Sequence, residues 1–385
     1  MSEVLTKNIY EHFISSHQYE PLVIFSPGRI NLIGEHTDYN NGYVLPAAID
    51  KGIVAAIQKN GTLQQCNAIA YDLNESHQFE LESIEPIENG GWRNYIIGVV
   101  EEVQKYGKML SGFNIVFGGN IPNGAGMSSS AAVENSVVFG LNEIFELELT
   151  KEEMIRISQR AEHNFAKVKC GIMDQFASMF GIENHALMLD CKTMESKSTA
   201  IDFGDYQLLL INTNVKHSLT DSAYNDRREK CESIAKLLKK ESLREVTKES
   251  LDSIKDRISG NTYKKGLYVI EENDRVLNTV KALESNNLEE VGNLLYQSHE
   301  GLQHQFEVSC EELDFLVDFT KNTDDVLGAR MMGGGFGGCT INLIKTSAVC
   351  SISEKVENAY KQKFKKDCSI YNIALSNGTH KTTTL

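Results

Sequence analysis

The sequence predicts an α+β protein built as two lobes, on three observations. Its 385 residues suffice for two or three domains of about 150 residues each. Strand and helix candidates are mixed along the chain, with no regular repeat or long linker. The composition then shifts near residues 185–200, where a second region rich in lysine and glutamate begins. A chain that is 41% hydrophobic and 24% charged, with 29 glycines and 5 prolines, is folded rather than disordered or collagenous. The expected lobes are residues 1–190 and 191–385.

In chain order, a helix is expected before Pro21 and a strand over LVIF at 22–25. The runs YVLPAAI and GIVAAI read as two short strands or one bent strand interrupted at Pro46. HQFELESI at 77–84 alternates as a strand does, and NYIIGVVEEVQKY after Trp92 carries the apolar spacing of a one-faced helix. GFNIVFGG is the next strand, leading through IPNGAGM into the helix candidate SSSAAVENSVVFGLNEIF. Thr150 and Glu153 form a capping-box pattern ahead of MIRISQRAEHNF, which places Glu162 late in a helix. YQLLLINTNV is a strand candidate, and DSAYNDRREKCESIAKLLKK a solvated helix. SHEGLQHQFEVS is expected to separate helices, with Ser309 and Glu312 as the capping box of CEELDFLVDFTKN. GARMMGGGFGGCTINLI closes the series as a glycine-rich turn before a strand.

Several function classes are disfavoured at this level. A net charge of −15 opposes nonspecific contact with nucleic acid or an anionic membrane surface. The apolar runs, such as LLLI at 208–211, fall short of the ~18–20 residues that a spanning helix needs. Eight cysteines with no CxxC pair fit neither a disulfide scaffold nor a structural zinc site. The start MSEVLTKNIYEHF has no signal-peptide core, so a cytoplasmic, reduced protein without an obligate protein partner is expected.

Three polar clusters carry the chemistry. In IPNGAGMSSSAAVE, Gly124 and Gly126 permit a tight loop, and Ser128, Ser129 and Ser130 stand where helix N–H groups can cradle a phosphate. An ordinary serine-capped helix is the competing reading. No GxxxxGK[ST] motif is present. Ser130 and Glu162 offer hard oxygen donors that suit Mg²⁺ if the Glu162 helix returns beside the loop. SPGRINLIGEHTDYNNGYVLP groups Arg29, Glu35, His36 and Asp38, donors and acceptors suited to a neutral polyol. Asp174, in CGIMDQF, can take a proton from a substrate hydroxyl or orient it, with Arg29 supporting the charge. The MGGGFGG loop allows close approach to phosphate or serves as a plain turn, and Arg330 beside it reads as a surface cation or a phosphate contact ranking below Arg29.

Together GRINLIGEHTDYNNGYVLP, IPNGAGMSSSAA and GARMMGGGFGG resemble, in that order, the motifs of the galactokinase branch of the GHMP small-molecule kinase superfamily. Asn123, Ala125 and Met127 depart from the usual phosphate loop. The resemblance implies a ribosomal-protein-S5-like N-terminal lobe and a ferredoxin-like C-terminal lobe, with ATP and sugar between them. It implies transfer of the ATP γ-phosphate to the C1 hydroxyl of α-D-galactose, in galactose metabolism, with D-galactose and Mg-ATP as the ligands. It assigns Arg29 and Asp174 to chemistry, and Glu35, His36, Asp38, Gly171, Asp174 and Tyr224 to the sugar. Ser130 and Glu162 match its Mg²⁺ positions. Gly124, Gly126, Ser128, Ser129 and Ser130 match its phosphate loop, and Trp92 stands near the nucleotide base. An N-acetylgalactosamine kinase and a galactose/ATP sensor without turnover are the alternatives.

Overall fold

The structure, a computed structural model, describes residues 3–122, 124–216 and 220–382; side chains at 216 and 220–224 lie outside that set. The first strands are β1 (Leu22–Asn31), β2 (Tyr43–Val44), β3 (Pro46–Lys59), β4 (Gln65–Ala70), β5 (Glu75–Glu80) and β6 (Phe113–Gly119). They are followed by β7 (His185–Asp190), β8 (Ser196–Ala200), β9 (Tyr206–Lys216), β10 (Val326–Met331), β11 (Gly337–Lys345), β12 (Ser369–Asn372) and β13 (His380–Lys381). A six-stranded sheet runs β13-β1-β3-β6-β4-β5, a four-stranded sheet β10-β11-β9-β12, and a small sheet β2-β7-β8. Pro46 opens β3 instead of breaking a strand, because the chain bends at Leu45 and sends Tyr43–Val44 to pair with β7.

In the N-terminal lobe, α1 (Glu3–His17) packs on one face of the large sheet; α2 (Trp92–Lys105), α3 (Ser129–Phe145), α4 (Lys151–Ala161) and α5 (Met173–Phe180) form the other side. Helix α3 is buried almost continuously from Ala131 to Leu141, as expected of a helix apolar all round. The predicted Thr150–Glu153 capping box is formed. Beyond α4 the backbone widens into one π-helical turn, Glu162–Ala166, so Glu162 sits at its first position, where a widened turn re-aims side chains.

The C-terminal lobe contains α6 (Thr220–Leu237), α7 (Lys248–Asp252), α8 (Gly260–Glu284), α9 (Leu288–Gly301), α10 (Glu311–Lys321) and α11 (Val349–Phe364). SHEGLQHQFEVS does not separate helices at its start: α9 runs through Gly301 into a π turn, Leu302–Phe306. Nor does Ser309 cap α10. Its hydroxyl donates to the Asp314 carboxylate, and Cys310 takes the cap position without a side-chain bond.

Strand alternation ties the lobes together. Leu208 and Leu210 of β9 face a core shared with Ile30, Leu32, Ile33 and Leu45, while Leu209 and Ile211 face α10 and α11 on the other side. A division at residue 190 falls inside the β7–β8 hairpin, and the chain's end returns to the first lobe. β13 pairs with β1, and the preceding segment fills an irregularity in β3, where the Asp50 N–H donates to the Ala374 carbonyl at 2.9 Å. Among the described residues, no helix is long and apolar enough to cross a membrane.

Candidate active site

The cleft is built first from β1. A β carbon at Gly28 would lie 2.6 Å from the Met127 carbonyl oxygen, so glycine lets the serine loop close onto the strand. The Arg29 N–H donates to that carbonyl at 3.1 Å. Arg29, 5% exposed as a residue, turns its side chain inward. Its Nε and Nη2 donate to the two Asp174 oxygens at 2.9 and 3.0 Å, and Nη1 to the Gly126 carbonyl at 2.5 Å. This two-point geometry fixes the carboxylate plane as a single ammonium cannot. Burial alone would loosen the guanidinium proton, but the Asp174, Glu35 and Asp38 charges outweigh it.

The loop below is shaped for an anion. Gly124 and Gly126 have φ of 73° and 69°, and Ser128 holds the same left-handed region at 58°. Ser128 precedes α3, yet its hydroxyl donates to Asp174 and does not cap the helix. The serine-capped helix is thereby excluded, and the positive end of α3 enters the cleft without a Ser128 cap. Gly334 to Gly338 of the second lobe face Gly124 and Gly126 across a cavity of about 200 Å³.

Beside it, a chamber of about 170 Å³ gathers Arg29, Glu35, His36, Asp38, Glu162, Gly171 and Asp174, residues drawn from separate stretches of sequence. Glu35 Oε1 accepts from both Arg330 terminal nitrogens at 3.1 Å and from the Gly333 N–H at 2.8 Å. Arg330 is fully buried and also donates to the Leu32, Asn31 and Met331 carbonyls. It is therefore neither a surface cation nor a phosphate contact, because its donors are consumed in joining the lobes. Burial pushes the His36 imidazole down to about 3, so it is neutral, and its Nδ1 pairs with the Tyr39 hydroxyl at 2.9 Å. Burial and the nearby Asp174 push the Asp38 carboxyl up to about 7. Gly171 is required there, since a β carbon would lie 1.9 Å from Asp38 Oδ2.

The helix carrying Glu162 does return beside the loop. The Ser130 hydroxyl donates to Glu162 Oε1 at 3.2 Å, and Gln175 Nε2 donates to Oε2 at 2.7 Å. Burial and the Asp174 charge push the Glu162 carboxyl up to about 7. The same Gln175 amide donates to the buried Glu134 at 3.2 Å, and the Cys170 thiol to Glu162 at 3.3 Å. No group of three or more histidine, cysteine, aspartate and glutamate side chains poised for a metal occurs among the described residues. A serine oxygen beside a poorly solvated carboxylate nevertheless fits Mg²⁺, which takes few protein ligands and completes its shell with phosphate and water.

Two expected residues stand apart. Trp92 Nε1 donates to Glu75 at 2.8 Å and its ring packs edge-on to Phe117, so it does not line the neighbouring cavity of about 500 Å³. That cavity is walled by Ile87, Tyr95 and Phe165. Tyr224 lies on α6, with its side chain outside the described residues. The Glu134–Gln175 support and the Arg330 clamp were missed because each joins residues far apart in sequence; the polar Asp174-Gln175 pair within an apolar run was the only local signal.

Comparison with known proteins places these residues in a family setting. Three family models match: GHMP kinases N terminal domain over residues 94–182, galactokinase galactose-binding signature over 11–59, and GHMP kinases C terminal over 279–362. The chain is similar to the galactokinase of Thermotoga neapolitana, 43% identical over 356 residues, covering 92% of this chain and 99% of that protein. It is 37% identical to the galactokinase of Clostridium acetobutylicum, with 97% of each covered. The crystal structure of Lactococcus lactis galactokinase complexed with galactose matches with a TM-score of 0.93 at 33% identity, covering 97% of this chain and 99% of that one. Methanococcus jannaschii mevalonate kinase, 19% identical with a TM-score of 0.67, shares the fold alone.

Two outcomes follow from this geometry. Arg330→Met should cost about 3–5 kcal/mol in urea unfolding, because Glu35 would remain buried without its cation, and adding Glu35→Gln should recover part of the loss. Asp38 and Glu162 bind protons more tightly folded than unfolded, so their stabilisation is full below about pH 4 and lost as pH rises through about 7. The Tm of the ligand-free protein should fall across that window, and Glu162→Gln should flatten the fall; an unchanged pH slope in the variant would contradict the assignment.

Proposed function

Since this chain belongs to the galactokinase family of the GHMP kinases, we propose that its polar chamber is the sugar site and its facing glycine loops the phosphate site. The protein phosphorylates galactose with ATP. The observation that carries the residue roles is the Arg29–Asp174 pair, standing at the junction of the chamber and the serine loop.

Phosphoryl transfer requires an aligned hydroxyl and stabilised phosphate charge more than a strong base. Asp174 accepts the hydrogen of the C1 hydroxyl and aims its oxygen at the γ-phosphate. Both Asp174 oxygens already accept from Arg29, and one also from Ser128, which fixes the orientation of the carboxylate in the cleft. The proton then passes late, as bonding to phosphorus develops, which suits a loose transition state. Arg29 supports the charge of both Asp174 and the phosphate. The open end of α3 and the N–H groups around Gly124, Gly126, Ser128 and Ser129 hold phosphate oxygens.

Ser130 Oγ and the Glu162 carboxylate would hold Mg²⁺, which would supply positive charge to offset that of the ATP phosphates. Glu35, neutral His36 and Asp38 present acceptors and donors to the sugar hydroxyls, while Gly171 leaves room for Asp38 and closes the wall. The purine fits the cavity at the start of α2, walled by Ile87, Tyr95 and Phe165. It adjoins the proposed metal pair, since Phe165 belongs to the turn that begins with Glu162. Trp92 stands at the head of α2 next to Gly91 of this wall, its ring held by Glu75 and Phe117.

A panel of galactose, N-acetylgalactosamine and glucose with Mg-ATP tests the reading: galactose 1-phosphate should form fastest, and efficient turnover of only the acetylated sugar would overturn it. Asp174→Asn should lower kcat by about 10²–10⁴ with folding retained, as read by single-turnover kinetics. Gly171→Ala should raise the KM for galactose more than it lowers kcat, because its methyl displaces Asp38 from the sugar and leaves Arg29–Asp174 in place.

A further inference from the structure

The two oxygens of Glu162 have different partners. Oε1 accepts from the Ser130 hydroxyl at 3.2 Å, whereas Oε2 accepts from the Gln175 amide at 2.7 Å and from the Cys170 thiol at 3.3 Å. Gln175 directly follows Asp174 in the first turn of α5 and is fully buried. Its Nε2 also donates to Glu134 Oε2 at 3.2 Å, so both amide hydrogens are used between two carboxyls. Turned the other way, the amide would set its oxygen against two acceptors. The main chain of Gln175 is held as well, because its carbonyl accepts from Asn135 Nδ2 at 2.9 Å. Glu134 lies one turn after Ser130 on α3, and Asn135 follows it.

We infer that Gln175 is a positioning residue for the metal: held by Glu134, it turns Glu162 so that Oε1 meets the cation beside Ser130. The inference rests on the metal pair proposed above and names what aims that pair.

An amide suits this task electrostatically. It fixes Oε2 without cancelling the carboxylate charge, whereas a lysine or arginine in its place would compete with Mg²⁺ for that charge. The second carboxyl is adapted in the same sense. Burial, and then the Glu162 charge, push the Glu134 carboxyl well above the usual carboxylate range. In its neutral form Glu134 still accepts from the amide and adds no further negative charge behind the metal. Glu134 Oε1 and Gln175 Oε1 are both buried without a partner. A proton on Glu134 makes the first of them a donor, and the second is an acceptor. Because Gln175 adjoins Asp174, one turn of α5 sets both the metal ligand and the acceptor for the sugar hydroxyl.

The test is calorimetric titration of Mn²⁺ into the full-length protein with galactose and a non-hydrolysable ATP analogue, at about pH 8, above the window in which Glu162 takes up a proton. Gln175→Met, which keeps the length and removes the amide hydrogens, should raise the Mn²⁺ Kd by about ten-fold or more and leave the galactose Kd unchanged. Rates should show the same split: the Mg²⁺ needed for half-maximal rate rises, and saturating Mg²⁺ recovers kcat. Glu134→Gln, which keeps an acceptor for the amide, should retain the wild-type Mn²⁺ Kd, and Glu134→Met should weaken it as Gln175→Met does. This second pair decides the matter if Gln175→Met does not fold. Mn²⁺ affinity lost in Glu162→Gln yet kept in Gln175→Met and Glu134→Met overturns the positioning role alone. Equal loss in both Glu134 variants overturns the part given to Glu134. Mn²⁺ affinity kept in Glu162→Gln and Ser130→Ala overturns the metal pair itself, and this inference with it.

Discussion

The buried ion pair between Glu35 and Arg330 is the constraint on which the rest of the molecule depends. Arg330 is the penultimate residue of β10 in one lobe, and Glu35 follows β1 in the other. A guanidinium with no access to water must find acceptors inside the protein, and here they are Glu35 and the carbonyls that end β1. That requirement sets the height of the Gly333 turn, whose N–H completes the Glu35 shell, and so sets the distance between the two glycine loops. The shared core of Leu32, Leu210 and Ile341 supplies the bulk of the adhesion, but apolar contacts are not directional. The ion pair supplies the register.

Behind the cleft, the acids are arranged so that charge can be taken up when ligands arrive. Asp38, Glu162 and Glu134 all hold protons more tightly than ordinary carboxyls, chiefly through burial. Their surroundings contain Arg29 as the permanently charged neighbour and Gln175 as a neutral bridge. A cleft of this kind is electrostatically incomplete by itself, and under the function proposed above a divalent cation carried in with a nucleotide would relieve it. A net charge of −15 does not prevent a local positive potential here, because the serine loop presents the start of α3 beside Arg29.

The legibility of the site in sequence followed the range of the interactions. Arg29, Glu35, His36 and Asp38 were readable because one short loop holds them, and a local concentration of polar groups among apolar anchors is visible in a string. The Thr150–Glu153 box was readable for the same reason, since its bonds span three residues. Ser309 and Glu312 show the converse: the identical pattern failed because Asp314 offered the hydroxyl a better acceptor. Arg330 was read as a surface cation or a phosphate contact, and neither holds, because its partners lie some three hundred positions earlier. Trp92 kept its place at the head of α2, yet Glu75 and Phe117 drew its ring away from the cavity.

The sequence by itself determined the α+β composition, the two glycine loops, the serine-headed helix and the roster of polar residues, since backbone freedom, periodicity and side-chain chemistry are local properties. Tertiary structure alone decided which of these residues meet. It brought Asp174 to two of the three side-chain nitrogens of Arg29, diverted Ser128 from capping to Asp174, and set Glu162 against Ser130 through one widened helical turn. It also returned the chain's end to β1. The physical reason is that pairing energies inside a protein depend on burial and distance, and neither exists until the lobes close.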